Sequence, residues 1–165
     1  MHVEVKAMPP EQRPLLHNLM QKYLYDFSEY DRDDVDEEGL YFYKYTDLYW
    51  VEPERYPFLI RAAGKIAGFA LVRRSSGFDE APFHSMAEFF VMRKYRGQGV
   101  GRAAAVQLFD LFPGRWHVAQ EPRNQPSQIF WQQVVGDYSG GRYEQTKGED
   151  DEPQQIFATP GTGSD

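Results

Sequence analysis

The sequence contains no cysteine, no long apolar run and fewer basic than acidic side chains. The lack of cysteine excludes disulfide bonds, thiolate metal sites and a cysteine nucleophile, and it favours a reducing compartment. The formal charge of −7 makes the molecule as a whole repel nucleic acid and anionic membranes. The first residues lack the apolar segment of a secretion signal, and no run approaches about 18 apolar residues. We therefore expect a cytoplasmic protein that binds neither nucleic acid nor membranes.

The length and the aromatic content indicate one folded domain. Aromatic residues make up 16% of the 165 residues, far more than disordered chains contain. We expect a single domain over residues 1–158 and a flexible tail over residues 159–165.

The apolar periodicity predicts a mixed α/β (α+β) sheet flanked by helices. A short strand near residues 3–5 precedes an amphipathic helix that opens at Pro9-Pro10 and runs to about Phe27. Strands are predicted at residues 56–61, 65–73, 84–92, 116–119, 142–146 and 154–158. Helices are predicted at residues 101–112 and 126–135.

The segment LYFYKYTDLYW (residues 40–50) has six aromatic residues in eleven and fits neither a helix nor a strand pattern clearly. Two interpretations are open. The segment is either a packed aromatic helix or lid, or it lines an acceptor pocket with Tyr41, Tyr45 and Tyr49.

The most informative feature is the junction between the third strand of the meander and the following helix. Three glycines, Gly97, Gly99 and Gly101, remove the side chains that would block an approaching ligand. A helix N-terminus after such a loop directs backbone N–H groups and the helix dipole at one small volume, where anions bind. Four cationic side chains surround it, namely those of Arg93, Lys94, Arg96 and Arg102. A diphosphate is the ligand that this junction favours.

A dinucleotide is one ligand that contains such a diphosphate. Gly99, Gly101 and Ala104 match G-x-G-x-x-A, and Glu121 follows Gly101 by twenty residues, near the position of the ribose-binding acid in that fold. However, the loop does not follow its strand immediately, and too little chain remains to complete a doubly wound sheet. A nicotinamide oxidoreductase is therefore the weaker hypothesis.

The same residues also match R-x-x-G-x-G through Arg96, Gly99 and Gly101. The segment VMRKYRGQGVG (residues 91–101) resembles the acetyl-coenzyme A loop of the GNAT superfamily of N-acetyltransferases. That loop lies between the fourth strand and a long helix. The resemblance covers residues 1–158, because the predicted order of elements also agrees with the GNAT fold. It implies a mostly antiparallel sheet that is splayed between its fourth and fifth strands.

A second part of the chain carries the resemblance. In the family, an asparagine precedes an A-x-x-F-[YW] pattern, and Asn124, Phe130 and Trp131 occupy those places, with Ser127 at the alanine. The loop departs from the family at one point, since Arg93 stands where a proline is common.

The resemblance implies acetyl-coenzyme A as the acyl donor and assigns residues to it. Main-chain groups near Phe90, Val91 and Met92 would bind the pantetheine arm. Asn124 and Phe130 would border the thiol end. The diphosphate would be held by the N–H groups of the loop, which come from Arg96, Gly97, Gln98, Gly99, Val100, Gly101 and Arg102.

The implied reaction is direct attack of an amine on the thioester in a ternary complex. A carboxylate is the usual acceptor of the amine's proton, and Glu88, on the strand leading into the loop, is the candidate base. Trp131 stands where many relatives have a tyrosine that protonates the departing thiolate, and an indole cannot serve as that acid. Water, a tyrosine of the aromatic segment or Tyr138 would replace it, or the thiolate would leave unprotonated. A non-catalytic acyl-coenzyme A binding or regulatory module is thus the alternative.

The remaining polar residues give no further site. The four histidines lack metal-ligand spacing, and His84 and Glu88, which are expected on one face of their strand, are too few to hold a metal. We expect no metal. The acceptor amine is not specified by the sequence, although the acidic charge favours a cationic one. The resemblance also implies pairing into a homodimer as one assembly state.

Overall fold

A computed structural model describes residues 1–76 and 80–160. Within these residues, seven strands form one sheet in the order β1-β2-β3-β4-β5-β7-β6. The strands are β1 (Val3–Ala7), β2 (Arg55–Ala62), β3 (Lys65–Ser75), β4 (Phe83–Val91), β5 (Arg115–Ala119), β6 (Tyr143–Lys147) and β7 (Pro153–Ala158). The helices are α1 (Arg13–Asp31), α2 (Val100–Leu111) and α3 (Gln125–Ser139). The predicted fold is confirmed.

Helix ends follow from local sequence chemistry. The Asn124 side chain accepts a hydrogen bond of 3.1 Å from the Ser127 N–H and so caps α3, whose first turn contains a proline. Gly140 ends α3 in the left-handed conformation with φ 65°. The helix continues past the predicted end at residue 135 because Gly136 is tolerated inside it. A Cβ there would lie 3.6 Å from the Tyr143 ring, an ordinary van der Waals distance, so a small side chain would also fit beside β6.

Each face of the sheet has its own hydrophobic core. On one face α2 and α3 pack against the sheet, with Phe109, Trp116 and Val135 fully buried. On the other face α1 and the aromatic segment pack against the sheet. That segment forms a short 3-10 helix, Thr46–Trp50, in which Tyr49 is 3% exposed. The packed interpretation therefore holds for the second half of the segment, whereas Phe42 in its first half is 84% exposed. The pocket lined by Tyr41, Tyr45 and Tyr49 was wrong, because Tyr49 is core and none of the three lines the cleft.

The sheet opens between β4 and β5. These two strands are the parallel pair of the sheet, and they are paired only at His84–Trp116 and Ser85–His117. The later residues of β4 have no partner on β5. The predicted splay between the fourth and fifth strands is thus confirmed, and it creates a gap beside the second half of β4.

A β-bulge in β4 changes which side chains face which core. Ala87 is an extra residue between the pairs that its neighbours form with β3. Before the bulge, the His84 ring packs against Phe112, with centroids 4.7 Å apart, on the α2 side of the sheet. After it, Glu88 bonds to Tyr23 of α1 on the other side. The expectation that His84 and Glu88 share a face was wrong, because it assumed uninterrupted alternation.

Close contact between β3 and β4 depends on Gly68. A Cβ on Gly68 would overlap the backbone carbonyl of Phe90. The two strands therefore approach each other closely at the point where β4 borders the gap.

The end of the chain is partly fixed. Thr159, assigned to the tail by the sequence, is 5% exposed, and its N–H donates a hydrogen bond of 3.0 Å to the Gly114 carbonyl. Residues 161–165 of that tail lie outside the described residues. No helix in the described part of the chain is long and apolar enough to cross a membrane.

Candidate functional site

A large cleft lies where β4 and β5 separate. Its volume is about 1240 Å³. One wall is α1, the floor is the second half of β4, and the opposite wall is formed by residues 119–124, the start of α3 and the segment before β7. The glycine-rich loop closes one end. The cleft therefore brings Glu88, the loop and Asn124 to one place.

The glycine loop has the backbone conformation that its composition predicts. Gly97 and Gly99 have φ of 73° and 82°, which favour glycine, and a Cβ on either would meet nothing within 4 Å. Gly99 is the N-cap of α2 and supplies no side-chain acceptor to the first turn of that helix. Among residues 1–76 and 80–160, no side chain caps the first N–H groups of α2, which are therefore available to an anion.

The arginines of the loop fasten it to α1. The Arg96 Nε donates to the Val91 carbonyl at 2.7 Å, and its Nη2 donates to Asp26 Oδ2 at 2.8 Å. Arg93 Nη2 donates to Asp26 Oδ1 at 2.7 Å. Burial alone would raise the pKa of Asp26, but the hydrogen bonds and charges of the two arginines outweigh it and lower that pKa. These side chains thus position the loop, which leaves its backbone N–H groups to meet a ligand.

Two further side chains of this region, those of Arg102 and Gln98, also make hydrogen bonds within the protein. Arg102 Nη1 bonds to Asp137 Oδ2 of α3 at 2.8 Å. Gln98 Nε2 donates to the Lys94 carbonyl at 2.8 Å and closes the turn. Val100 is 1% exposed and anchors the loop in the core. Of these three residues, Arg102 lines the cleft, whereas Gln98 and Val100 are not among its lining residues, and the sequence did not predict that they hold the loop together.

The start of α3 packs against the start of α2. A Cβ on Gly101 would lie 3.0 Å from the Phe130 ring, so glycine at this position permits the contact. Trp131 is 5% exposed and packs edge-on against Phe89, with ring centroids 4.9 Å apart. Asn124, Phe130 and Trp131 all line the cleft. Asn124 also has a structural role, because its side chain caps α3.

The backbone of β4 offers hydrogen-bonding groups to the cleft at alternate residues. The Met92 N–H donates to the Ala67 carbonyl of β3 at 2.7 Å. Since alternate residues direct their backbone groups to opposite sides, Phe90 also faces β3, whereas Phe89 and Val91 face the cleft. Of the predicted Phe90, Val91 and Met92, Val91 is therefore the residue whose backbone groups face the cleft, although its carbonyl already accepts from Arg96 Nε. Phe89 is a cleft-facing neighbour that the sequence did not single out.

Glu88 carries the titratable group on the floor of the cleft. Its Oε2 accepts a hydrogen bond of 3.0 Å from the Tyr23 hydroxyl. Loss of hydration raises the pKa of Glu88 to about 7, the Tyr23 hydrogen bond opposes that rise, and the charge of Glu152 adds to it. A carboxyl group with this pKa exchanges protons near neutral pH, as a general base must. The sequence missed Tyr23 because it occupies an apolar position in the pattern of α1.

Tyr138 does not lie in the cleft. Its hydroxyl donates to Asp110 Oδ1 at 2.6 Å, and its ring packs against Phe109 and Phe157 between α2 and α3. The suggestion that Tyr138 protonates a leaving group was therefore wrong.

The wall before β7 is acidic. Asp150 and Glu152 line the cleft just before β7, and Glu29 lines it from α1. Burial raises the pKa of Glu152, and the charges of nearby Asp150 and Glu121 add to that rise. On this wall the carboxylates of Glu121, Asp150 and Glu152 outnumber the guanidinium group of Arg123, which favours a cation there.

Several solved structures share this architecture. Aminoglycoside acetyltransferase AAC(6')-Ib in complex with coenzyme A has a TM-score of 0.66 and 13% identity, with 95% of each chain covered. An acetyltransferase from Thermus thermophilus has a TM-score of 0.65 and 16% identity, covering 96% of this chain and 97% of that one. The PaiA N-acetyltransferase from Thermoplasma acidophilum in complex with coenzyme A has a TM-score of 0.61 and 8% identity, covering 96% and 99%. At these identities the likeness is one of fold.

Comparison with the sequences of curated proteins finds no match. The model of the acetyltransferase (GNAT) family, however, matches residues 15–136, which span most of α1, the cleft strands, the glycine loop and most of α3. Since this match covers more than half of the chain and agrees with the fold and the loop, the protein belongs to the GNAT family of acetyltransferases.

Proposed function

We propose that the protein transfers the acetyl group of acetyl-coenzyme A directly to an amine within a ternary complex. The observation that carries the proposal is the position of Glu88, a carboxyl group with a pKa of about 7 that shares the cleft with the glycine loop. The amine nitrogen attacks the thioester carbonyl carbon, the carbon–sulfur bond breaks, and the coenzyme leaves as a thiolate. Glu88 accepts the proton that the amine loses, directly or through water.

The coenzyme would be held largely by the backbone. The N–H groups of residues 96–102 would bind the diphosphate, supported by the open approach at Gly97 and Gly99. Backbone groups around Val91 would bind the pantetheine arm in the gap beside β4. Asn124 and Phe130 would border the thiol end, because both line the cleft.

The acceptor would be a cationic amine. Glu29, Asp150 and Glu152 line the cleft together with Glu88. Their charges would attract a polyamine or an aminoglycoside more strongly than a neutral or acidic amine. A structural neighbour, AAC(6')-Ib, is named for acetylating aminoglycosides, which is consistent with this class of acceptor.

Two measurements test the proposal. Isothermal titration calorimetry should show binding of acetyl-coenzyme A and none of NADH. Release of free thiol should then be followed with a polyamine, an aminoglycoside, a neutral amine and glutamate at matched concentrations, at low and high salt. We expect thiol release with the cationic amines, weakened by salt. Binding without thiol release for any amine would indicate the non-catalytic module instead, and preference for NADH would contradict both.

A further inference from the structure

We infer that Tyr23 is a positioning residue for the proposed acetyl transfer, because its hydroxyl orients the Glu88 carboxylate as the acceptor of the amine's proton. This inference rests on the proposed function. Tyr23 belongs to α1, outside the loop and the helix that carry the family motifs.

The Tyr23 ring is fixed by its surroundings. It contacts Phe69 edge-on and Phe90 at a tilt, each with centroids 5.6 Å apart, and it packs against Phe27 at 5.7 Å. A ring held on three sides has little freedom to rotate its hydroxyl away from Glu88. The hydrogen bond of 3.0 Å to Oε2 is thus a fixed element of the cleft floor.

The geometry leaves one carboxylate oxygen for the substrate. Tyr23 occupies Oε2 of Glu88, and among residues 1–76 and 80–160 no side chain or backbone group donates to Oε1. A tyrosine hydroxyl has a single proton to donate, and an ionised carboxylate is a better acceptor of it than the neutral acid. Tyr23 therefore stabilises the form of Glu88 that can take a proton and directs the remaining oxygen to the cleft.

The other groups around Glu88 act against ionisation or do not titrate near neutral pH. Tyr43 and Tyr49 of the aromatic segment lie near it, and burial first and then the charge of Glu88 raise the pKa of Tyr43. On the side of β7, the charge of Glu152 disfavours a second negative charge at Glu88. The adjacent part of β3 presents Phe69 and Leu71, which are apolar. Tyr23 is thus the neighbour that lowers the pKa of Glu88, against the larger effect of burial.

The first test compares pH profiles of kcat/KM. In Tyr23→Phe the acidic limb should move to higher pH by about one unit, because a hydrogen bond to the charged form is lost. At pH 7 this corresponds to a roughly fivefold lower rate, which should recover at high pH. Glu152→Gln should move the same limb to lower pH, because a like charge is removed. Tyr25→Phe is the matched control, since Tyr25 lies on the same helix, is 67% exposed and is outside the cleft.

The second test needs no turnover. The carboxyl carbon of Glu88 is followed by carbon-13 NMR through a pH titration of the wild type and of the three variants. A higher midpoint in Tyr23→Phe, with Tyr25→Phe unchanged, supports the inference. An unchanged midpoint, or a rate that falls equally at every pH, overturns it. If the midpoint moves but no amine is acetylated, the hydrogen bond is confirmed and it is the proposed reaction that fails.

Discussion

The change Gly99→Ala tests the binding of a diphosphate by the backbone of the loop. Gly99 has φ 82°, and placing a residue with a Cβ in this left-handed conformation costs roughly 1–2 kcal/mol. A Cβ at this position would meet no protein atom within 4 Å, so it would project into open space beside the first N–H groups of α2. Losing one hydrogen bond to a charged phosphate costs about 1.5–3 kcal/mol, which is a roughly ten- to hundredfold loss of affinity.

Gly140→Ala provides the matched control. Gly140 has φ 65°, and a Cβ on it would also meet nothing within 4 Å, but it lies at the end of α3 outside the cleft. Both variants should lose similar free energy of unfolding in urea denaturation. Only Gly99→Ala should bind coenzyme A more weakly by calorimetry. Affinity equal to that of the wild type in Gly99→Ala, alongside the expected loss of stability, would refute diphosphate binding at this loop.

Three further variants separate chemistry from stability. Glu88→Gln should lower kcat by about a hundredfold or more and remove the acidic limb of the pH profile, with coenzyme affinity unchanged; a wild-type profile would exclude Glu88 as the base. Asp26→Asn should lower the free energy of unfolding by about 1–2 kcal/mol, because two arginines lose their charged partner. The melting temperature should fall by about 2–8 °C. Since the pKa of Asp26 is lowered in the folded state, this difference should be complete above about pH 5 and disappear as the pH falls through the folded-state pKa; a constant difference would contradict the ion pairs. Gln155→Leu removes a fully buried amide whose Nε2 donates to Gln120 and Gln145, each at 3.1 Å. Urea denaturation should show that the free energy of unfolding falls by about 1–3 kcal/mol. An unchanged free energy of unfolding would mean that water replaces the lost hydrogen bonds.

The sequence predicted the fold because its signals are local. Apolar periodicity located the three helices and the strands, and the caps at Asn124 and Gly140 set the ends of α3. The splay followed from the family resemblance, and the partial pairing of β4 with β5 confirms it. The aromatic segment was not assignable, because only Thr46 and Tyr49 in it are buried, and Tyr49 is buried by contacts with distant parts of the chain such as α1 and β3.

The sequence predicted the candidate site only where backbone groups form it. Glycines at 97 and 99 signal left-handed turns, and the structure has these turns. Side-chain pairing between distant elements leaves no such signal, which is why the bonds from Tyr23 to Glu88 and from Arg96 to Asp26 were not foreseen. The bulge at Ala87 was equally hidden, because strand alternation carries no mark of an inserted residue.

The absence of a side chain at Gly68 bears on how the cleft can be altered. Any larger residue there would overlap the Phe90 carbonyl and force β3 and β4 apart at this point. The width of the cleft is thus set partly by a residue on β3 that is not among those lining it. Attempts to broaden acceptor choice should keep this glycine fixed and vary the wall before β7.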